Sequence, residues 1–179
     1  MGKKALSIGI LLFLATGYVS LTATEAREEK NTMGNPVITQ SFASKEVRTG
    51  DTWKVYLNAS DPEGKMKNFY VIVDQPGVGQ YPLNIIRIKE ANQKELSGYL
   101  YLHTSSSISS LNLLTLTLKV WIQDRSGQFS EPVVFPLSIR DRYTQKAPPQ
   151  GVFKDQSLGP VMVTVEKPTG GGVNDYNDK

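Results

Sequence analysis

Few side chains in this sequence could do covalent or metal chemistry. It has no cysteine and one histidine, His103. Disulfides, thiolate zinc sites and thiol nucleophiles are therefore out of reach, and a histidine metal site would lack ligands. A serine–histidine–acid triad would have to use His103, which falls on the outward side of an expected strand beside Tyr101. Ser105 to Ser107 follow in a loop without the strand-to-helix turn that exposes a nucleophile. Gly170 to Gly172 lie in a tail, not between a strand and a helix where glycines cradle phosphate. No pair of carboxylates stands out above turn usage as glycosidase machinery. The expectation is a chain that is not an enzyme and carries no cofactor.

A binding surface is a better prospect. Tyr56 lies on the expected second strand, and Tyr99 and Tyr101 on the expected fifth. If those strands pair, their outward residues share one sheet face, and with His103 they form an amphipathic patch suited to a protein partner or a sugar ring. The competing reading is that cross-strand tyrosines only stabilise a solvated face, by roughly 0.2–1 kcal/mol each.

The elements that must position these residues are strands. From Leu114 to Ile122, apolar Leu114, Leu116, Leu118, Val120 and Ile122 alternate with Thr115, Thr117, Lys119 and Trp121. A period of two marks a strand with one face on a core, and the length from Leu111 to Asp124 suits the middle of a sheet. Alternation also predicts strands at Trp53 to Ala59, Leu96 to Thr104 and Pro132 to Ile139. Pro136 cannot donate to a ladder, so the last of these is an edge or has its free side there. Pro36 to Phe42 opens the series, with Leu83 to Ile88 as a further strand. Phe69 to Val73 is apolar on both faces: either Phe69, Val71 and Val73 point inward or Tyr70 and Ile72 do, and the first set is favoured. Proline–glycine turns at Asp61 to Gly64 and Gln75 to Gly79 separate the runs. The count is seven strands and no helix, at the spacing of a β-sandwich.

With 179 residues there is room for one domain and flanking segments. The 20 Lys+Arg against 17 Asp+Glu give a net charge of +3 without a basic run, which argues against nucleic-acid binding. Lys3 and Lys4 precede twenty uncharged residues, Ala5 to Thr24, with an apolar centre from Ile8 to Leu14. Small residues at Thr24 and Ala26 place a cleavage site after Ala26, the pattern of an export signal. The alternative is an uncleaved anchor, since twenty residues can just span a bilayer, and the lysines keep that end in the cytoplasm either way. The body is expected to be exported, to the periplasm, cell surface or medium. Membrane contact arises only if the leader stays attached.

Pro36-Val37-Ile38, Thr49-Gly50-Asp51, Ala59 to Gly64, and Val120 to Asp124 running into Arg125-Ser126-Gly127 resemble bacterial immunoglobulin-like domains, including cadherin-like and PKD-like modules. The resemblance covers 36–141. It implies a two-sheet Greek-key sandwich that serves as a spacer or binding module, with a protein or cell-surface partner, or a glycan. In such a sandwich the loops holding Asp61, Glu63 and Asp124 lie at one end, where three carboxylates suit calcium. The aspartate that commonly follows the glycine in the family's turn is Lys65 here. That weakens the calcium comparison, and the expectation is no metal.

The organisation expected is thus a signal or anchor at 1–26, a linker at 27–35, an all-β immunoglobulin-like sandwich at 36–141 and a Pro/Gly-rich extension at 142–179. Within the extension, Val161, Val163 and Val165 alternate with Met162 and Thr164. A bare apolar strand invites aggregation, so this segment is expected to dock on a sheet edge of this chain or of a partner. Asn58-Ala59-Ser60 also matches the N-glycosylation pattern.

Overall fold

The structure, a computed structural model, describes residues 34–104 and 114–166. The expected leader, the serine loop at 105–110, the first residues of the expected central strand and the terminal glycines fall outside the described residues. Among the described residues ten strands are formed: β1 Val37–Ala43, β2 Glu46–Val47, β3 Thr52–Ser60, β4 Met66–Gln75, β5 Gly79–Gln80, β6 Asn84–Arg87, β7 Glu95–His103, β8 Leu114–Asp124, β9 Val133–Ile139 and β10 Ser157–Pro160. One sheet runs β1-β3-β7-β10. The other runs β2-β9-β8-β4, with β5 and β6 both paired to the far side of β4. The three extra strands beyond the seven expected are β2, β5 and β10, of two, two and four residues, too short to show a period.

The pleat explains the core. Leu114, Leu116, Leu118, Val120 and Ile122 are all buried on β8, which lies between β9 and β4. Trp53, Val55, Leu57 and Ala59 of β3 and Leu96, Leu100 and Leu102 of β7 face them from the other sheet. On β4 it is Phe69, Val71 and Val73 that turn inward. The amides of Ser138 and Arg140 point away from β8, toward the carbonyls of Lys45 and Val47. The amide that Pro136 lacks would point the same way, beyond the end of β2, so the ladder loses nothing.

Chain crossing between the sheets is pinned by Trp53. Residues 44 and 45 carry the chain from β1 in one sheet to β2 in the other. There the fully buried Trp53 donates its indole N–H to the Ser44 carbonyl at 2.8 Å. Together, β1, β3 and β7 against β4, β8 and β9, with a first strand split between sheets, make an all-β immunoglobulin-like sandwich.

Beyond β9 the chain returns over the outer face of the first sheet. The Gln145 side chain continues the ladder where β1 has departed: its amide donates to the Thr52 carbonyl at 2.8 Å and accepts from the Lys54 amide at 3.4 Å. Asn58 donates to the Val152 carbonyl at 2.9 Å, and the Lys154 amide donates to Ser97 Oγ at 2.9 Å. β10 then pairs parallel to β7, with Tyr99 N–H on the Gln156 carbonyl and Val161 N–H on the Tyr101 carbonyl, both at 2.8 Å. A strand was expected at 161–165. It forms at Ser157–Pro160 instead, and the valines that follow descend into the core: Val161 and Val165 are buried and Val163 is half-buried. Gly98 makes the docking possible, because a Cβ there would lie 2.4 Å from the Gln156 carbonyl oxygen.

The end of the extension is fastened to the second sheet. Buried Gln75 donates to the Glu166 carbonyl at 2.6 Å and accepts from the Tyr81 hydroxyl at 2.5 Å. That hydroxyl accepts from the Glu166 amide at 3.0 Å, so its polar atoms are all used. The described residues contain no helix long and apolar enough to cross a membrane.

Candidate functional site

β3 and β7 pair in the register that puts Tyr56 opposite Tyr99, Lys54 opposite Tyr101 and Thr52 opposite His103. The tyrosines do share one face, and the chain itself covers the Tyr56 end of it. Phe153 packs on Tyr56 with centroids 5.7 Å apart, and Asp155 accepts from Lys54 Nζ at 2.9 Å and from the Tyr56 hydroxyl at 3.5 Å. Tyr56 is left 8% exposed and Tyr99 half-buried. This corrects the expectation for Tyr56, because its cover comes from residues far along the chain, while Tyr101 is half-buried like Tyr99. His103 stays exposed, hydrogen-bonded through Nδ1 to Thr52 Oγ1 at 2.8 Å, and Tyr101 stands edge-on to it at 5.3 Å.

The electrostatics fit a fastened flap. The hydrogen bond from Lys54 to Asp155 holds its ammonium above the usual lysine range, against the opposing effect of burial. Burial pushes the Tyr56 hydroxyl up, with Lys54 opposing. Val161 and Val165 are likewise corrected as partner contacts, since they fill the core of their own chain and only half-buried Val163 keeps some surface. Asn58 donates to both Gln40 and Val152, so its amide is engaged beneath the flap and does not stand free as a glycan acceptor.

Asp61 and Asp124 do sit at one end, and both are buried. Asp61 spends its two oxygens on the amides of Glu63 and Lys65, each at 2.9 Å. Asp124 Oδ1 accepts from the Gln128 amide at 2.8 Å, and its Oδ2 has no partner among the described residues. Glu63 is bound to Lys65 Nζ at 2.6 Å. That hydrogen bond, reinforced by the charges of Glu63, Asp124 and Asp61, raises the Lys65 ammonium's pKa. Asp61 and Asp124 thus cap their loops through backbone amides, and Lys65 is the cation paired with Glu63. No group of three or more metal-ligating side chains is assembled among the described residues.

The open aromatic surface lies on the other sheet. Tyr70 of β4 is paired on one side with Trp121 of β8 and on the other with Ile85 of β6, so all three project from the same outer face. The Tyr70 and Trp121 rings are nearly parallel with centroids 6.0 Å apart, and Phe129 stands edge-on to Tyr70 at 5.5 Å. Phe129 is 43% exposed and Ile85 57%, while Tyr70 and Trp121 are half-buried. The adjacent row is polar. Asn68 lies opposite both Arg87 and Gln123, and Gln123 Oε1 accepts from the Tyr70 hydroxyl at 2.6 Å. Lys119, on the other side, reaches over the Trp121 ring at 5.7 Å. A cleft of about 480 Å³ adjoins this row, lined by Lys67, Asn68, Arg87, Glu90, Gln93 and Arg125.

The sequence alone gives Trp121 and Tyr70 no binding role, though both signals are present in it. Trp121 is the one large aromatic on the polar side of β8, and fixing Phe69 inward forces Tyr70 outward. Phe129 and the cleft cations carry no local signal, because a turn and two pairings assemble them.

No protein-family model and no curated protein matches the chain. Among solved structures it is similar to the PKD domain of an M14-like peptidase from a Thermoplasmatales archaeon, with 12% identity, a TM-score of 0.35, and coverage of 59% of this chain and 95% of that one. It is also similar to the CARDB domain of the PF1109 protein from Pyrococcus furiosus, solved in complex with di-metal ions. That likeness has 9% identity and a TM-score of 0.32, covering 59% of this chain and 91% of the other.

Proposed function

We propose that this chain is an exported, non-catalytic binding module that holds a carbohydrate chain on the outer face of its second sheet. One observation carries the reading: on the first sheet the extension buries Tyr56 beneath Phe153 and Asp155, while on the opposite side half-buried Tyr70 and Trp121 cluster with exposed Phe129. Clustered, partly exposed aromatic side chains on a sheet face mark contact surfaces. The amides of Asn68 and Gln123 lie in the neighbouring row, and paired donors and acceptors of that kind suit ring hydroxyls. Export rests on the leader read from Lys3 to Ala26. A role without catalysis rests on the absence of cysteine and on a lone histidine held by a threonine hydroxyl.

A glycan array probed with the full chain and with Trp121→Ala tests this. Binding to defined glycans by the first, lost in the second with the fold intact, is the expected result. Binding unaffected by Trp121→Ala, or no binding to any glycan, would refute it and leave a structural spacer.

A further inference from the structure

The carbohydrate reading gives the aromatic row a role but leaves the cleft beside it unused. Cleft and row are continuous: Asn68 lines the cleft, stands two residues before Tyr70 on β4, and pairs with Gln123, the acceptor of the Tyr70 hydroxyl. Lys67 comes from the bulge where the β4–β8 register slips, Arg87 from the end of β6 and Arg125 from the turn after β8. They meet around a single carboxylate, Glu90. None of the three cations forms an ion pair with a described residue; the Arg125 guanidinium is held instead by Gln93 Oε1 at 3.0 Å. Three cations about one carboxylate leave the cleft with an excess of positive charge, which raises the local potential and draws anions.

We infer, building on the carbohydrate reading, that the ligand is an acidic polysaccharide. One sugar ring rests against Trp121 and Tyr70, and the carboxylate of a neighbouring ring is held in the cleft. Arg87 and Arg125 supply planar donors that match a carboxylate, and Lys67 adds a point charge. Asn68, Gln93 and Gln123 serve the hydroxyls between. The sparse charge argues for a sugar over a nucleic acid. A single strand carries a phosphate at every nucleotide and needs a continuous basic track, whereas here three cations and a carboxylate are confined to one cleft. An acidic peptide held by an arginine cluster would use the cleft alone and leave the adjoining row of Trp121 and Tyr70 without a role. One held through its main chain would need an open strand edge where β5 and β6 already pair with β4.

The test titrates the full chain, at low ionic strength, with oligogalacturonate and oligomannuronate and with the methyl ester of each. The esters keep the rings and remove the charge. At least one acid form is expected to bind roughly tenfold more tightly than its ester, with the gap shrinking as salt is added. Arg87→Gln with Arg125→Gln is expected to close the gap by weakening the acid forms far more than the esters, and both substitutions are at exposed positions. Trp121→Ala is expected to weaken acid and ester together. Equal binding of acid and ester, with Trp121→Ala still disruptive, would overturn the acidic specificity but leave the carbohydrate reading standing. Binding that ignores Trp121→Ala, or no binding to any form, would overturn both. Single-stranded oligothymidylate or polyglutamate binding more tightly than either uronate, with the same loss in the arginine variant, would assign the cleft to that polymer and overturn the inference.

Discussion

Gly98→Ala should loosen the C-terminal extension and little else. The added methyl would sit 2.4 Å from the Gln156 carbonyl oxygen and 3.0 Å and 3.1 Å from Leu158 Cγ and Cδ2. Carbon–oxygen contacts settle at about 3.3–3.6 Å, so the extension must retreat by roughly 1 Å. The Tyr99 N–H to Gln156 bond, 2.8 Å in the native chain, would then stretch out of hydrogen-bond range. Losing it costs about 1 kcal/mol. Overpacking against a backbone that can yield only as a unit adds about 1–3 kcal/mol. A total of about 2–4 kcal/mol corresponds to a fall in protection of roughly thirty- to several-hundred-fold for amides that open with the extension. Hydrogen exchange reads this directly at Tyr99 and Val161, whose amides bridge β7 and the extension. Central β8 amides should slow or quicken far less. Tyr99 and Val161 amides within about threefold of wild type would refute the reasoning, as would equal acceleration throughout β8.

Trp53→Phe leaves the buried Ser44 carbonyl without its donor, so stability should drop by about 1–3 kcal/mol from that loss alone, read from the denaturation midpoint at unchanged slope. Raising the pH should release the flap: both the Lys54 and Tyr56 pKa values are raised in the fold, by the Asp155 hydrogen bond and by burial respectively. Each contribution is complete below the unfolded pKa and is lost as pH rises through the folded one. Phe153 contacts followed by NMR should therefore weaken at alkaline pH, and an extension that tightened there would contradict the sign. Calcium should leave the melting temperature unchanged, because Asp61 already serves two backbone amides and Lys65 holds Glu63; a rise in melting temperature that Asp124→Ala abolished would count against that.

Strands with one face on the core were legible in the sequence because burial forces a period of two on them. β8 is the clearest case, and β3 and β7 show the same pattern, but alternation does not say which strands pair, and the alignment of Tyr56 with Tyr99 comes from the fold. Alternation cannot tell which outward face stays open. Tyr56 was expected at the surface and is covered by Phe153, nearly a hundred residues later, a contact that no local pattern encodes. One local clue did exist: a glycine inside a strand pattern marks close approach of another backbone, and Gly98 holds that position against Gln156. The docked segment was expected as an alternating strand at 161–165, but its ladder is made by Ser157–Pro160, where a glycine and a proline hide the β pattern. The basic cleft was invisible for a different reason. Lys67, Arg87 and Arg125 are scattered along the chain, and the bulge, β6 and the β8 turn bring them together.

The most direct measurement uses the two tryptophans. Trp53 is fully buried between the sheets, whereas Trp121 lies half-exposed on the outer face of the second. Their indole N–H resonances are separate reporters in nitrogen-edited NMR spectra, to be recorded while trigalacturonate and, separately, trimannuronate are added. The expected result is a progressive shift of the Trp121 indole, with the Gln123 and Asn68 side-chain amides moving alongside it and Trp53 unchanged. If Trp121 stays still while Tyr101 and His103 respond on the opposite sheet, or if no resonance moves, the second-sheet face is not the binding surface.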